Sequence, residues 1–285
     1  MPNIVLQRIG HVPEDTVKSI NAVVEECYGR LEPHGVELLD LLIFENSEQM
    51  DSFYRREKQA SQVSSETLSE QFFATHDAWR GTPRIGICIE RMRHLPQLVQ
   101  MAVLRHEVGH SILHGSIEHY VFSLTPPLLE ASRRFGLTRD YAFSILYIVS
   151  IAVKDFEVTR FLVDKKYVED QLAYALYVLA ASEDDLKALK IAQNNPAALT
   201  LYVTSRLKDS AGAMAAGIAL GQPLTETFRK EFSQSPDFVV GRFLYLVEAF
   251  PRHMKGDTLQ NVNAAVRLLV EEFLEPVFTG FSAQS

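Results

Sequence analysis

The chain from Pro126 onward carries only helical periodicity, whereas the part before it alternates helical and strand-like patterns. Apolar residues recur at helical spacing throughout this second part, and turn residues such as Ser182 and those at 194–196 and 251–256 interrupt them. Strand patterns confined to the N-terminal part, followed by helices alone, predict an α+β fold.

Two strands and three helices are predicted before Pro126. In chain order they are a helix over Glu14–Arg30, a buried strand over 36–44, a helix beginning near 46, a strand over 84–90 and a long helix over 96–113 that ends at Gly115. The polar, serine-rich stretch 61–71 predicts an exposed loop.

The charge and composition argue against several kinds of partner. The formal charge of -8 comes from acids spread along the chain, so we expect no nucleic-acid partner. The longest apolar stretch, 141–153, is too short to cross a bilayer, which predicts a buried helix and no membrane partner. Cys27 and Cys88 lie far apart, and the N-terminus lacks a signal-peptide pattern, so a cytoplasmic location is expected. The oligomeric state is not predicted.

The run His106-Glu107-Val108-Gly109-His110 lies within the long predicted helix. Histidines four apart share one helix face, so both imidazoles can bind one ion, and Zn²⁺ is the cofactor we expect. Glu107 is rotated by roughly 100° and can reach a water beside that ion. The pattern predicts a zinc-activated water with Glu107 as its general base.

This run resembles the HExxH zincin metallopeptidases. The resemblance implies a zinc peptidase acting on peptide or protein substrates, with the motif helix beside a mixed sheet. In zincins the edge strand of that sheet pairs antiparallel with the extended substrate, and 84–90 is the segment that resembles it. The metzincin branch is excluded because Leu113 and Ser116 stand where its Gly and third His would be.

The segment 154–162 is similar to the ligand helix of the gluzincin branch, with departures at Lys154, Val158 and Thr159. The resemblance puts Asp155 at the position of the third ligand and Glu157 at that of the second acid. Helical geometry separates the two by about 200°, so only one can face a metal. Asp155 lies on an apolar face, where a metal would explain a carboxylate, whereas Glu157 has Lys154 and Arg160 three residues away, as on a solvated face. We predict Asp155, with Glu157 or an ion pair of Asp155 as alternatives.

Other residues have less definite roles. His114 and His119 are predicted to lie beside the ligands, on the substrate side or at the surface. Cys88 is a rival ligand, although alternation in its strand favours a buried apolar role. One of four tyrosines could donate a hydrogen bond to the reaction intermediate, and the sequence does not rank them: Tyr120, Tyr141, Tyr147 and Tyr167.

The predicted division is a zincin-like domain over 1–164, which includes the ligand helix, and an all-helical domain of unknown role over 165–285. A rival hypothesis makes the metal structural and the helical half a partner-binding surface of a regulatory or assembly protein. A third possibility is zinc-dependent hydrolysis of a non-peptide amide.

Overall fold

The computed structural model describes residues 1–60, 72–222 and 224–282, so the predicted loop at 61–71 lies outside the described residues. The chain forms two compact units. One contains Met1–Tyr120 and Lys165–Asp170, and the other contains Val121–Asp164 and Gln171–Ser285. These units do not coincide with the predicted division after residue 164, because the helix that carries Asp155 belongs to the second unit.

The first unit combines helices with one four-stranded sheet. Its elements are β1 (Asn3–Ile9), α1 (Glu14–Arg30), β2 (Leu38–Phe44), α2 (Ser47–Ala60), β3 (Ala74–Asp77), β4 (Arg84–Cys88), α3 (Ile89–Met92), α4 (Gln97–Leu113) and a 3₁₀ turn (Ile117–His119). The helices predicted over Glu14–Arg30 and 96–113 are therefore confirmed, whereas β1 and β3 were not predicted.

The sheet has the order β1-β2-β4-β3. β2 pairs in parallel with β1 and with β4, and β3 pairs antiparallel with β4. The expectation that 84–90 is an edge strand is wrong, since β4 lies between two neighbours and all five of its residues are buried. Within the described residues the edge strands are β1 and β3. The helical turn that begins at Ile89 also shortens the predicted strand.

Helices α1 and α4 pack together in the first unit. α1 buries a stripe of residues at helical spacing: Val17, Ile20, Val24, Cys27 and Tyr28. The Tyr28 hydroxyl is hydrogen-bonded to Ser111 Oγ of α4 at 2.5 Å, and this oxygen also donates to the Val108 carbonyl at 2.7 Å. These contacts fix the C-terminal half of α4, which contains the HExxH run.

A short return segment, Lys165–Asp170, also belongs to the first unit. The Tyr167 ring lies 4.3 Å from the Arg30 guanidinium carbon and 4.5 Å from that of Arg105, and its hydroxyl donates to Glu26. Arg105, the residue before His106, forms an ion pair with Asp170 at 2.7 Å. The return segment is therefore held against both α1 and α4.

The second unit is helical throughout its described residues, which confirms that prediction. Its helices are α5 (Pro126–Phe135), α6 (Arg139–Asp164), α7 (Val168–Leu179, from Gln171 onward), α8 (Glu183–Ala192), α9 (Pro196–Ala219), α10 (Thr225–Glu231), α11 (Asp237–His253), α12 (Thr258–Leu269), a π-helical turn (Val270–Leu274) and α13 (Glu275–Ser282).

α6 and α9 pack side by side at the centre of the second unit. Gly212 of α9 permits this approach, because a Cβ there would lie 3.3 Å from Thr159 Oγ1 of α6 and 3.3 Å from Ala175 Cβ of α7. The stretch 141–153 lies within α6 and is mostly buried, as predicted. Among the described residues, none of the helices is both long enough and apolar enough to span a membrane.

Candidate metal centre

Helix α4 presents the side chains of His106, Glu107 and His110, all of which are buried. The Nε2 atoms of the two histidines lie 3.1 Å apart, and their rings are nearly perpendicular. Two nitrogens bound to one tetrahedral zinc at 2.0–2.1 Å would be about 3.3 Å apart. The pair therefore has a spacing that suits one divalent cation.

Strand β3 brings His76 to these residues, which sequence reasoning missed. The His76 ring stacks on that of His110, with centroids 4.4 Å apart and planes 4° from parallel. Its Nδ1 lies 4.0 Å from Glu107 Oε2. A lone histidine in a four-residue strand has no spacing relation to the motif, so only strand pairing reveals its position. We call His76, His106, Glu107 and His110 the histidine cluster.

Tyr120, which follows the 3₁₀ turn, hydrogen-bonds to His76 Nε2 through its hydroxyl. Burial raises the pKa of Tyr120, and the nearby Asp77 and Glu107 carboxylates add to the effect, so this hydroxyl stays protonated. Two of the other candidate tyrosines have hydroxyls that donate elsewhere, Tyr141 to the Ala197 carbonyl and Tyr167 to Glu26. The hydrogen bond to His76 therefore singles out Tyr120 as the tyrosine beside the histidine cluster.

A buried arginine fixes the strand that carries His76. Arg84 of β4 donates two hydrogen bonds to Asp77 of β3, at 2.9 and 3.1 Å, and a third to Glu57 of α2 at 2.9 Å. Burial raises the pKa of Asp77 to about 6, against the lowering effect of Arg84. Gly86 of β4 allows α2 to pack closely against this strand, since a Cβ there would collide with the Tyr54 hydroxyl of α2.

Replacing Arg84 with alanine should lower the free energy of unfolding by about 3 kcal/mol at pH 8, because the buried Asp77 carboxylate loses its cationic partner. The loss should be smaller at pH 5. In the variant the pKa of Asp77 in the folded state rises further above its unfolded value. At pH 5 the buried carboxyl is protonated and does not need a cationic partner. The stability that protonation contributes is lost as pH rises through the folded-state pKa, because the carboxyl then ionises without Arg84. Urea denaturation at both pH values measures this.

The matched control is Arg80→Ala, which removes an exposed arginine that also pairs with Glu57. An exposed pair contributes at most about 1 kcal/mol, so this variant should differ little from the unaltered protein. Equal losses in the Arg84 and Arg80 variants would contradict the role given to Arg84.

The histidines that follow the motif occupy different environments. His114 is fully buried, and its Nδ1 lies 3.2 Å from His110 Nδ1. A hydrogen bond to the second nitrogen of a ligating histidine fixes its tautomer and ring orientation. His119 lies on the 3₁₀ turn, partly buried, with its Nδ1 3.1 Å from Ser116 Oγ. Of the three environments predicted for His114, the surface is therefore wrong.

Asp155 and Glu157 lie on α6 in the second unit. Asp155 is partly buried. Glu157 is 8% exposed and accepts hydrogen bonds from Asn261 Nδ2 at 2.6 Å and Thr258 Oγ1 at 2.8 Å. The expected solvated face is therefore wrong, because α12 supplies these partners. The choice of Asp155 over Glu157 as third ligand stays a prediction.

Lys154, on the same face as Glu157, is also buried. Burial lowers its pKa to about 8, although the nearby Asp155 and Glu157 carboxylates oppose the shift. Cys88, the rival ligand in β4, is a fully buried free thiol that packs in an apolar cluster with Leu42, Phe44 and Met50.

Comparison with known proteins supplies no relative. The chain matches no protein-family model, no curated protein and no solved structure. The chemistry of the site must therefore be argued from its own atoms. Imidazole nitrogens with carboxylate oxygens suit Zn²⁺ and neighbouring divalent transition metals. The donors of the histidine cluster fit such an ion.

Proposed function

We propose that the chain is a zinc-dependent peptidase of the HExxH type. The observation that carries this proposal is the pair of Nε2 atoms of His106 and His110, 3.1 Å apart, with the buried carboxylate of Glu107 on the same helix. His106 and His110 would hold the ion, and Asp155 stays the predicted third ligand. Zinc bound there would acidify a water and polarise a substrate carbonyl.

The protein groups then have defined tasks. Glu107 accepts the proton of the attacking water and delivers it to the leaving amine. Its low exposure keeps bulk water away from this transfer. Tyr120 has a hydroxyl that stays protonated, so it can donate a hydrogen bond to the oxygen on which negative charge develops. His76 orients that hydroxyl through their hydrogen bond.

An extended peptide is the substrate that suits the sheet. Within the described residues β3 is an edge strand of the sheet and pairs with β4, and addition of a strand at a sheet edge is a common way to bind an extended peptide. His76 lies in this strand and contacts the histidine cluster. A peptide paired with β3 would therefore run past the catalytic groups.

Incubation of the zinc-loaded protein with a library of unstructured peptides tests the proposal. We expect new peptide termini, detected by mass spectrometry, and none after the metal is removed with a chelator; activity should return when zinc is restored. Hydrolysis of small amides without peptide cleavage would contradict the substrate class. Stoichiometric capture of a protein without cleavage would favour the regulatory alternative.

A further inference from the structure

Helix α11 presents an exposed row of side chains on the face opposite to the one that it buries in the core of the second unit. We call this row the α11 stripe, and its members are Phe238, Gly241, Tyr245, Glu248 and Arg252. The two aromatic side chains are 49% and 50% exposed. Alternating steps of three and four residues keep the row on one helix face, and this is the spacing by which two helices pack along a seam. The stripe can therefore receive another helix.

Opposite charges lie at the two ends of the α11 stripe. Asp237, which begins α11, is exposed, and Arg252 lies in the last turn. The two are 15 residues apart, about 22 Å along the helix, so they cannot pair within one chain. Within the described residues, neither of them nor Glu248 forms an ion pair. These charges are available to another molecule.

We propose that the α11 stripe is the contact of a homodimer, in which α11 of a second copy packs antiparallel against it about a two-fold axis near Tyr245. A two-fold contact uses the same surface on both copies, so that surface must complement itself. Antiparallel packing places Asp237 of each copy beside Arg252 of the other. Parallel packing would put Glu248 against Glu248 and Arg252 against Arg252, and such like-charge contacts are unfavourable. The charges therefore favour a second copy in the antiparallel orientation.

The centre of the stripe also complements itself. In the same register, Gly241 of each copy lies opposite Glu248 of the other. A Cβ at Gly241 would have no neighbouring atom within 4 Å, so this position leaves room for the stem of that glutamate and for the Tyr245 rings. Arg242 donates through Nη1 to the Glu272 carbonyl at 2.8 Å, and its other N–H groups can donate to Glu248 of the second copy. One register thus gives both kinds of ion pair.

The size of the α11 stripe determines how strong the dimer can be. A standard stable interface takes about 20 to 30 residues from each side, more than one helix face provides. The dimer should therefore be weak, and its population should depend on the protein concentration. All of its contacts lie in the second unit and none in the histidine cluster, so this proposal does not rest on the proposed function.

Sedimentation equilibrium of the full chain tests the dimer across a series from roughly 1 µM to 1 mM, which brackets the dissociation constants of weak complexes. The mean mass should rise from the 32.2 kDa of one chain toward twice that value. Tyr245→Glu should hold it at one chain, because two added carboxylates would meet near the two-fold axis. Tyr177→Glu changes a tyrosine of α7 that is 43% exposed and is the matched control, which should associate normally.

An exchange of charges tests the antiparallel pairing. Asp237→Arg and Arg252→Asp should each weaken association by about tenfold, because each replaces two attractions in the dimer with two repulsions. The double variant should restore it. Each single change also places an unfavourable charge at an end of the helix dipole, and the double variant carries both. A return of association therefore cannot come from a more stable helix.

Several outcomes would overturn the homodimer. A mass of one chain at every concentration would leave the α11 stripe to a different partner, and association that persists in Tyr245→Glu would place the contact on another surface. Masses beyond two copies would exclude a closed two-fold contact. Failure of the double charge variant to restore what both single variants lose would reject the antiparallel pairing. Circular dichroism checks folding, and should Tyr245→Glu fail to fold, the charge variants decide.

Discussion

Replacement of Glu107 by glutamine should slow hydrolysis strongly while zinc stays bound at the position of His106 and His110. The amide has nearly the size of the carboxylate but cannot accept the proton of the attacking water. General-base catalysis contributes about 100- to 10,000-fold, so the turnover rate should fall by that factor. The measurement is the rate of peptide cleavage, with the zinc content of the same sample determined in parallel.

Glu48→Gln is the control, because Glu48 is an exposed glutamate on α2 of the same unit. It should leave both rate and zinc content unchanged. Cleavage that continues at the full rate in Glu107→Gln would reject Glu107 as the base.

Replacement of His110 by alanine should cause a large loss of zinc binding, because its Nε2 is one of the two imidazole nitrogens that would hold the ion. The affinity for zinc should fall by more than the roughly 10- to 100-fold that loss of a residue hydrogen-bonded to a ligand costs. Zinc at 100 times its dissociation constant stabilises a protein by about 2.7 kcal/mol. This gain, measured as a shift of the thermal midpoint, should disappear in the variant.

A graded series of histidine variants provides the comparison. His114→Phe removes the hydrogen bond to His110 Nδ1 and should cost about 10- to 100-fold in zinc affinity. His94→Ala removes an exposed histidine and should have no effect. If His114→Phe were as damaging as His110→Ala, or if His110→Ala bound zinc normally, the assignment of His110 as a zinc ligand would be wrong.

The sequence predicts the helices well because their patterns are local. The apolar stripe of α1 and the motif helix α4 follow from residue spacing within one element. β1 and β3 escape prediction since a short strand depends on its pairing partners, and β3 is only four residues long. The missing β3 is also why the strand at 84–90 was assigned to the edge.

The residues of the candidate site likewise fall into two groups, those that local spacing predicts and those whose contacts depend on tertiary structure. His106, Glu107 and His110 are recognisable because the helix fixes their relation within five residues. His76 is brought to them by strand pairing, 30 residues earlier in the chain, and no spacing rule joins the two segments. Glu157 was misplaced because its partner Asn261 lies 104 residues away. Contacts of this kind depend on tertiary structure, which a local pattern does not contain.

The return segment Lys165–Asp170 affects the order in which the protein can mature during synthesis. Domains generally fold as units while the chain emerges from the ribosome. Here the HExxH helix is made well before Tyr167, whose ring contacts Arg30 and Arg105 of the same unit. The first unit therefore cannot complete its native contacts until all of α6 has been translated. The metal motif emerges in an unfinished unit, and a nascent chain that stops at residue 120 lacks the segment that joins α1 to α4.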